Sequence, residues 1–187
     1  MLVVDFTAGP GVGKSALALG LTSALKMTDR PIVVEYLPEF AKGLVWRNRG
    51  HELKNRFWSA DQQFDELSLL CQPSSKIDVV VFDGSLVLDA VYANWTHDLN
   101  TVEIDELVKA RYQTYPTLTV NVQRNPNIQY EETGRFQTLE QSHEVDIIVK
   151  RYLEMWGIKF IPAYSDFSEV LRLRDIVLNR LGDLYGY

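Results

Sequence analysis

Ala8-Gly9-Pro10-Gly11-Val12-Gly13-Lys14-Ser15 is the stretch that decides how this chain is read. It follows a short apolar run, Leu2-Val3-Val4-Asp5-Phe6-Thr7, and precedes Ala16-Leu17-Ala18-Leu19-Gly20-Leu21, which continues to Leu25. Strand, glycine loop and helix in that order are the setting of a P-loop, here with Ala8 where the motif has its first glycine. Gly9, Gly11 and Gly13 admit backbone conformations that a side chain forbids, so successive N–H groups can turn inward as an anion-binding nest. The helix behind them adds its positive end. Lys14 can reach the outer phosphates, and the Ser15 hydroxyl can hold Mg2+. Gly9, Gly11, Val12, Gly13, Lys14, Ser15 and Ala16 are thus the expected cofactor-binding set for a nucleoside triphosphate.

Outward from the loop, strand and helix patterns alternate. Ile32-Val33-Val34 is a β-branched run that predicts a second strand ending at Glu35. Pro38-Glu39 opens a helical pattern through Trp46, and Ser59-Ala60-Asp61-Gln62 reads as a capping box opening a helix to about Cys71. Asp78-Val79-Val80-Val81-Phe82-Asp83 is a continuous apolar strand, the kind buried on both faces of a parallel sheet. Helices are predicted from Gly84-Ser85 through Trp95 and from Val102 to about Tyr115, then a strand over Leu118–Val122. Residues 124 to about 138, with Asn-Pro and Thr-Gly signals, read as a lid. Leu139–Trp156 is helical, Lys159–Pro162 a fifth strand and Val170–Leu184 a last helix. Five strands alternating with helices predict an α/β fold: a three-layer P-loop NTPase with a five-stranded parallel sheet and one domain over residues 1–187. Ligands of such sheets sit beyond the carboxyl ends of the strands. The glycine loop, Glu35, Asp83 and Arg124 all fall there.

Composition bounds the partners. Of 187 residues, 46% are apolar and 24% charged, as expected for a globular chain with a real core. The net charge of −6 disfavours a sequence-independent nucleic-acid binder, although a local basic groove stays open. Cys71 is the only cysteine, so no internal disulfide forms, which fits a reducing cytoplasm. The apolar runs are too short for a membrane span, and no signal peptide is visible.

Several side chains are candidates for chemistry. Asp83 ends its strand in the position of a carboxylate that holds Mg2+, directly or through water, together with Ser15; helix capping is its other reading. Glu35 is the expected base that orients an acceptor hydroxyl and takes its proton, with Glu39 next in line. Arg135 and Arg124 flank the lid and are candidates to neutralise the transferring phosphoryl, Arg124 alternatively lying against a base. Arg47, Arg49, Lys54 and Arg56, interleaved with Trp46, Phe57 and Trp58, could grip an anion or stack a base, or simply be a solvated helix end. His51, His97 and His143 show no metal spacing.

Together these pieces resemble the nicotinamide-riboside kinase domain and its relatives, P-loop kinases widely carried by phages. The pieces are Gly9–Ser15, Glu35-Tyr36 with Glu39-Phe40, Phe82-Asp83 with Asp89-Ala90-Val91-Tyr92, Glu132-Thr133-Gly134-Arg135, and the strand near Phe160. The resemblance implies a nucleoside/nucleotide-kinase type of fold with a helical lid. It also implies an ATP- and Mg2+-dependent kinase whose catalytic residues are Lys14, Glu35, Asp83, Arg135 and Arg124. The acceptor would be a nucleoside, nucleotide or modified base, in the host cytoplasm if the chain is phage-encoded. Deoxynucleoside kinases look similar in placing a Glu after the second strand, but follow the third with Asp-Arg-Ser where this chain has Asp83-Gly84-Ser85. Two rival readings remain at this level: a phage DNA kinase acting on hydroxymethylated pyrimidines, and a P-loop ATPase or switch that makes no phosphorylated product. The sequence sets no oligomeric state.

Overall fold

A computed structural model describes residues 1–127, 129–130 and 137–185. Five strands form one parallel sheet in the order β2-β3-β1-β4-β5: β1 Leu2–Thr7, β2 Val34–Leu37, β3 Val79–Phe82, β4 Thr117–Gln123 and β5 Phe160–Tyr164. The central strand β1 pairs with β3 (Leu2 with Val79, Asp5 with Phe82) and with β4 (Val3 with Thr117, Thr7 with Asn121). All six of its residues are buried, the polar Asp5 and Thr7 among them, as befits a central strand covered on both faces.

Alternation along the strands splits the core into two layers. Leu2, Val4, Phe6, Val79 and Val81 face helix α1 (Lys14–Lys26) and helix α7 (Phe167–Tyr185). Val3, Val80 and Phe82 face the other way, onto α3 (Arg56–Leu70), α4 (Val87–Trp95), α5 (Thr101–Tyr112) and α6 (Leu139–Met155). Each buried Leu, Val or Phe contributes about 1.5–3 kcal/mol by leaving water. The expected three-layer α/β fold with five parallel strands is the one observed. The short helix α2 (Phe40–Trp46) and two 3-10 turns, Gly50–Lys54 and Pro73–Ser75, complete the described elements.

Some boundaries differ from the sequence reading, each for a local reason. Strand β2 starts at Val34 rather than Ile32, because pairing begins where β3 begins: the Val33 carbonyl accepts from the Asp78 and Val79 N–H groups at 2.9 and 3.1 Å. Glu35 consequently lies inside the strand. Helix α3 starts at Arg56, not Ser59, since the Asn55 side chain caps it by accepting from the Trp58 N–H at 3.1 Å. The capping box is at Thr138 instead, which opens α6: its Oγ1 accepts from the Gln141 N–H at 3.3 Å, and Gln141 Oε1 accepts from the Thr138 N–H at 3.0 Å. Within the lid segment, Arg124–Asn127, Gln129, Tyr130, Gln137 and Thr138 form no helix; Arg135 and the rest of the lid lie outside the described residues. Cys71 is buried at the end of α3, and burial pushes its thiol up to about 11, so it packs rather than reacts.

Candidate active site

Strand β1 runs straight into the glycine loop, and the loop into α1. Gly11 and Gly13 have φ of +81° and +87°, in the region that costs an L side chain energy. Each is also walled in: a Cβ on Gly11 would overlap the Tyr130 ring, and one on Gly13 the Ser165 side chain. Gly9, Gly11, Gly13, Lys14, Ser15 and Ala16 line a cavity of about 800 Å³. Val12 does not: its side chain is buried in the core beneath the loop, leaving only its backbone for a ligand.

Lys14 is the hub. Its Nζ donates to Glu39 Oε2 at 2.8 Å and to the Asp83 carbonyl at 2.8 Å, with Asp83 Oδ1 at 3.4 Å. Burial pulls its pKa down, but the two carboxylates more than offset this and the net shift is upward. Asp83 follows β3 and is only 1% exposed. Its Oδ2 accepts from the Tyr36 hydroxyl at 2.8 Å, so Tyr36 on β2 and Lys14 on α1 hold the carboxylate from two sides. Asp83 does not cap a helix; the residue preceding α4 is Leu86, and Ser85 Oγ accepts from the Val87 N–H at 3.2 Å while donating to buried Asp5 at 2.8 Å. The Ser15 hydroxyl lines the cavity and makes no hydrogen bond among the described residues.

Glu35 is not in this group. It is half exposed and faces Lys26 at 3.5 Å, the last residue of α1. Lys14 and Lys26 are the two ends of that helix, about 18 Å apart at 1.5 Å per residue. The carboxylate that lines the cavity beside Lys14 is Glu39, held just before α2 as its N-terminal flanking residue. Glu35, the expected base, therefore lies away from the cavity, while Glu39, the next carboxylate along, lies in it, because a strand starting at Val34 carries Glu35 back toward the far end of α1.

Arg124 closes the loop from behind. Its Nε and Nη2 donate to Asp146 Oδ2 at 3.0 and 2.9 Å, and Nη2 also to the Pro10 carbonyl at 3.1 Å. Asp146, on α6, accepts from the Gly9 N–H through Oδ1 at 3.0 Å. The guanidinium lies over the Tyr130 ring, 5.7 Å from its centroid. Arg124 is thus engaged with the wall of the P-loop, and does not point its charge into the cavity.

Opposite the loop, the same cavity is lined by Gln63, Asp89, Tyr92 and Trp95. Asp89 is 3% exposed and accepts from Gln63 Nε2 at 2.6 Å. Burial raises its carboxyl to about 7, against the pull of the Arg56 and Arg111 charges. Gly84 sits at this side: a Cβ there would come 3.4 Å from Glu39 Cα and 3.5 Å from Gln63 Oε1, so any side chain would enter the gap between the two. Gln63 and Asp146 carried no signal in the sequence. Asp89 carried a faint one, as a carboxylate inside the otherwise apolar helix Val87-Leu88-Asp89-Ala90-Val91.

A phosphate nest, a buried ammonium and a carboxylate at one sheet edge are the parts of a P-loop domain. Residues 3–169 match a protein family described as an AAA domain. The chain belongs to this AAA domain family. A search of curated proteins finds no match. Among solved structures, the AAA domain is similar to deoxyadenosine kinase from M. mycoides, determined with the products dCMP and a flexible dCDP bound. The identity is 12% and the TM-score 0.55, over 97% of this chain and 98% of that one. The likeness extends over the whole chain, and shows that this AAA domain shares the α/β fold of that structure. No helix among the described residues is long and apolar enough to cross a membrane.

Proposed function

We propose that this protein is an ATP-dependent phosphotransferase acting on a nucleoside-type acceptor. The observation that carries the reading is one continuous cavity. The P-loop and Lys14 line one side, Glu39 stands between, and the hydrogen-bonded Gln63–Asp89 pair with Tyr92 and Trp95 lines the other. A donor polyphosphate suits the first side. A flat, polar-edged ring suits the second, where an amide and a carboxyl that burial pushes toward its neutral form offer both donors and acceptors beside aromatic faces.

In the transfer, an acceptor oxygen attacks the γ-phosphorus of ATP, the bond from that phosphorus to the β–γ bridging oxygen breaks, and ADP departs. Glu39 takes the proton from the attacking hydroxyl. Lys14 and the loop amides neutralise charge on the phosphates. Of the residues expected to place Mg2+, Ser15 lines the cavity with its hydroxyl unpaired among the described residues, and Asp83, nearly sealed behind Lys14, would hold the metal together with it. Both are hard oxygen donors, which suits Mg2+. The metal, when bound, neutralises the phosphate oxygens. Arg124 positions the loop; Arg135 keeps the proposed role of a charge-neutralising lid residue. ATP use fits a cytoplasmic setting, and the nicotinamide-riboside and phage-borne kinases fall in the same class of acceptor chemistry.

The test is a screen of nucleosides, nucleotides and hydroxymethylpyrimidine-containing DNA with ATP labelled at the γ-phosphate. A labelled acceptor is expected. Release of free phosphate with every acceptor would overturn the reading in favour of an ATPase or switch.

A further inference from the structure

The acceptor side of the cavity has a rim of a different chemical character from its floor. Lys42 on α2, Lys54 at the end of the 3-10 turn and Arg56 in the first turn of α3 all line it. Lys42 and Lys54 are exposed, and neither has a carboxylate within ion-pair distance among the described residues. Arg56 is partly sequestered: its guanidinium lies 5.4 Å from the centroid of the Tyr92 ring, with Asp89 and Asp98 acting on it only at longer range. Trp46, beside them on the cavity wall, leaves 65% of its surface in water.

This is unusual for a chain of net charge −6. Among the described residues, the anionic groups lining the cavity are Glu39 and Asp89. Glu39 is matched by Lys14, and burial moves Asp89 toward its neutral form. Once ATP occupies Lys14, Glu39 alone among the described lining residues offsets Lys42, Lys54 and Arg56, so the balance facing whatever fills the other side stays positive. A neutral nucleoside would leave those cations facing it unanswered. A phosphate oxygen would answer them with charge-assisted hydrogen bonds.

We infer that the acceptor is a phosphate-bearing nucleotide, its phosphate held by Lys42, Lys54 and Arg56 at the cavity rim with Trp46 packed beside it. The inference rests on the kinase reading of this cavity and narrows its acceptor class. The phosphate belongs either to a mononucleotide or to a phosphodiester in a single strand.

The experiment is calorimetric binding with the donor site saturated by Mg2+ and the non-hydrolysable β,γ-imido analogue of ATP. The probes are each nucleoside, its 5′- and 3′-monophosphates and a single-stranded tetranucleotide, titrated into the parent and into Lys42→Ala/Lys54→Ala. Both lysines are exposed, so the variant is expected to keep the parent's thermal stability. The monophosphates or the tetranucleotide should bind at least about tenfold tighter than the nucleoside, and the double variant should erase most of that advantage. A salt dependence steeper for the tetranucleotide than for the monophosphate would assign the phosphate to a strand; equal slopes would assign it to a mononucleotide. Equal affinity for nucleoside and monophosphate overturns the inference, as does a preference that survives in the variant, or no binding by any phosphorylated probe. The kinase reading stands or falls separately. Label transfer to neutral nucleosides with the lysines indifferent would sink the inference alone. Lysine-dependent nucleotide binding without any label transfer would sink the kinase reading alone.

Discussion

Lys14 Nζ and Glu39 Oε2 stand 2.8 Å apart, a contact between the first residue of α1 and the residue just before α2. The same ammonium also rests on Asp83, which is 1% exposed. Replacing Lys14 with Ala should therefore damage two properties. Phosphoryl transfer should fall below detection. Stability should drop by about 3 kcal/mol, because removing one partner leaves a buried carboxylate without its counter-charge. Urea denaturation beside an ATP-binding titration checks both; a variant as stable as the parent would show that Asp83 does not depend on Lys14.

Glu39→Gln should lower kcat about 10²–10⁴-fold, the range for loss of a general base, while ATP affinity changes little. Glu35→Gln should leave kcat near the parent's, since Glu35 faces Lys26 outside the cavity. Steady-state kinetics on the pair decides between them. A large kcat loss at Glu35 with none at Glu39 would reverse the assignment.

Gly13→Ala forces a side chain into φ +87° and onto Ser165. The backbone strain alone should cost about 1–2 kcal/mol, and ATP affinity should fall because the nest loses its shape. Adding Ser165→Gly removes the overlap but not the strain, so it should rescue only part of the loss. Thermal melts with and without ATP read both effects.

Asp5 gives a pH signature. Burial raises its carboxyl from 3.8 to about 7, despite the hydrogen bond from Ser85. The unfolded chain releases this proton at the lower value and the folded chain at the higher one. Across that window the folded state holds more protons, so stability is greatest below it and is lost as pH rises through it. Asp89, also raised to about 7, adds a slope of the same sign. Asp5→Asn should remove Asp5's share, making the variant the more stable protein above neutral pH. Urea denaturation at about pH 5 and about pH 8 tests the difference between parent and variant.

The fold was legible because its signals are local. A buried central strand, a glycine loop and a helix follow one another at Leu2–Lys26, and β3 announces itself as Val79-Val80-Val81-Phe82. The position of Lys14, Ser15 and Asp83 at one sheet edge was legible for the same reason, each being tied to an element end. Which acidic residue after β2 lines the cavity was not. Whether Glu35 or Glu39 meets Lys14 depends on where pairing of β2 with β3 begins, and a shift of two residues in a four-residue strand moves one carboxylate out and brings the other in. Gln63–Asp89 and Arg124–Asp146 join side chains 26 and 22 residues apart on different elements. Such pairs leave no mark on spacing, because tertiary packing alone brings them together.

The walls of the phosphate loop come from late in the chain: Tyr130 against Gly11, Asp146 on the Gly9 N–H and Ser165 against Gly13. During translation the glycine motif leaves the ribosome well before these three residues, and a nascent chain that stops short of Ser165 lacks part of the enclosure that shapes the loop. The loop thus takes its final shape only when β5 and α7 dock.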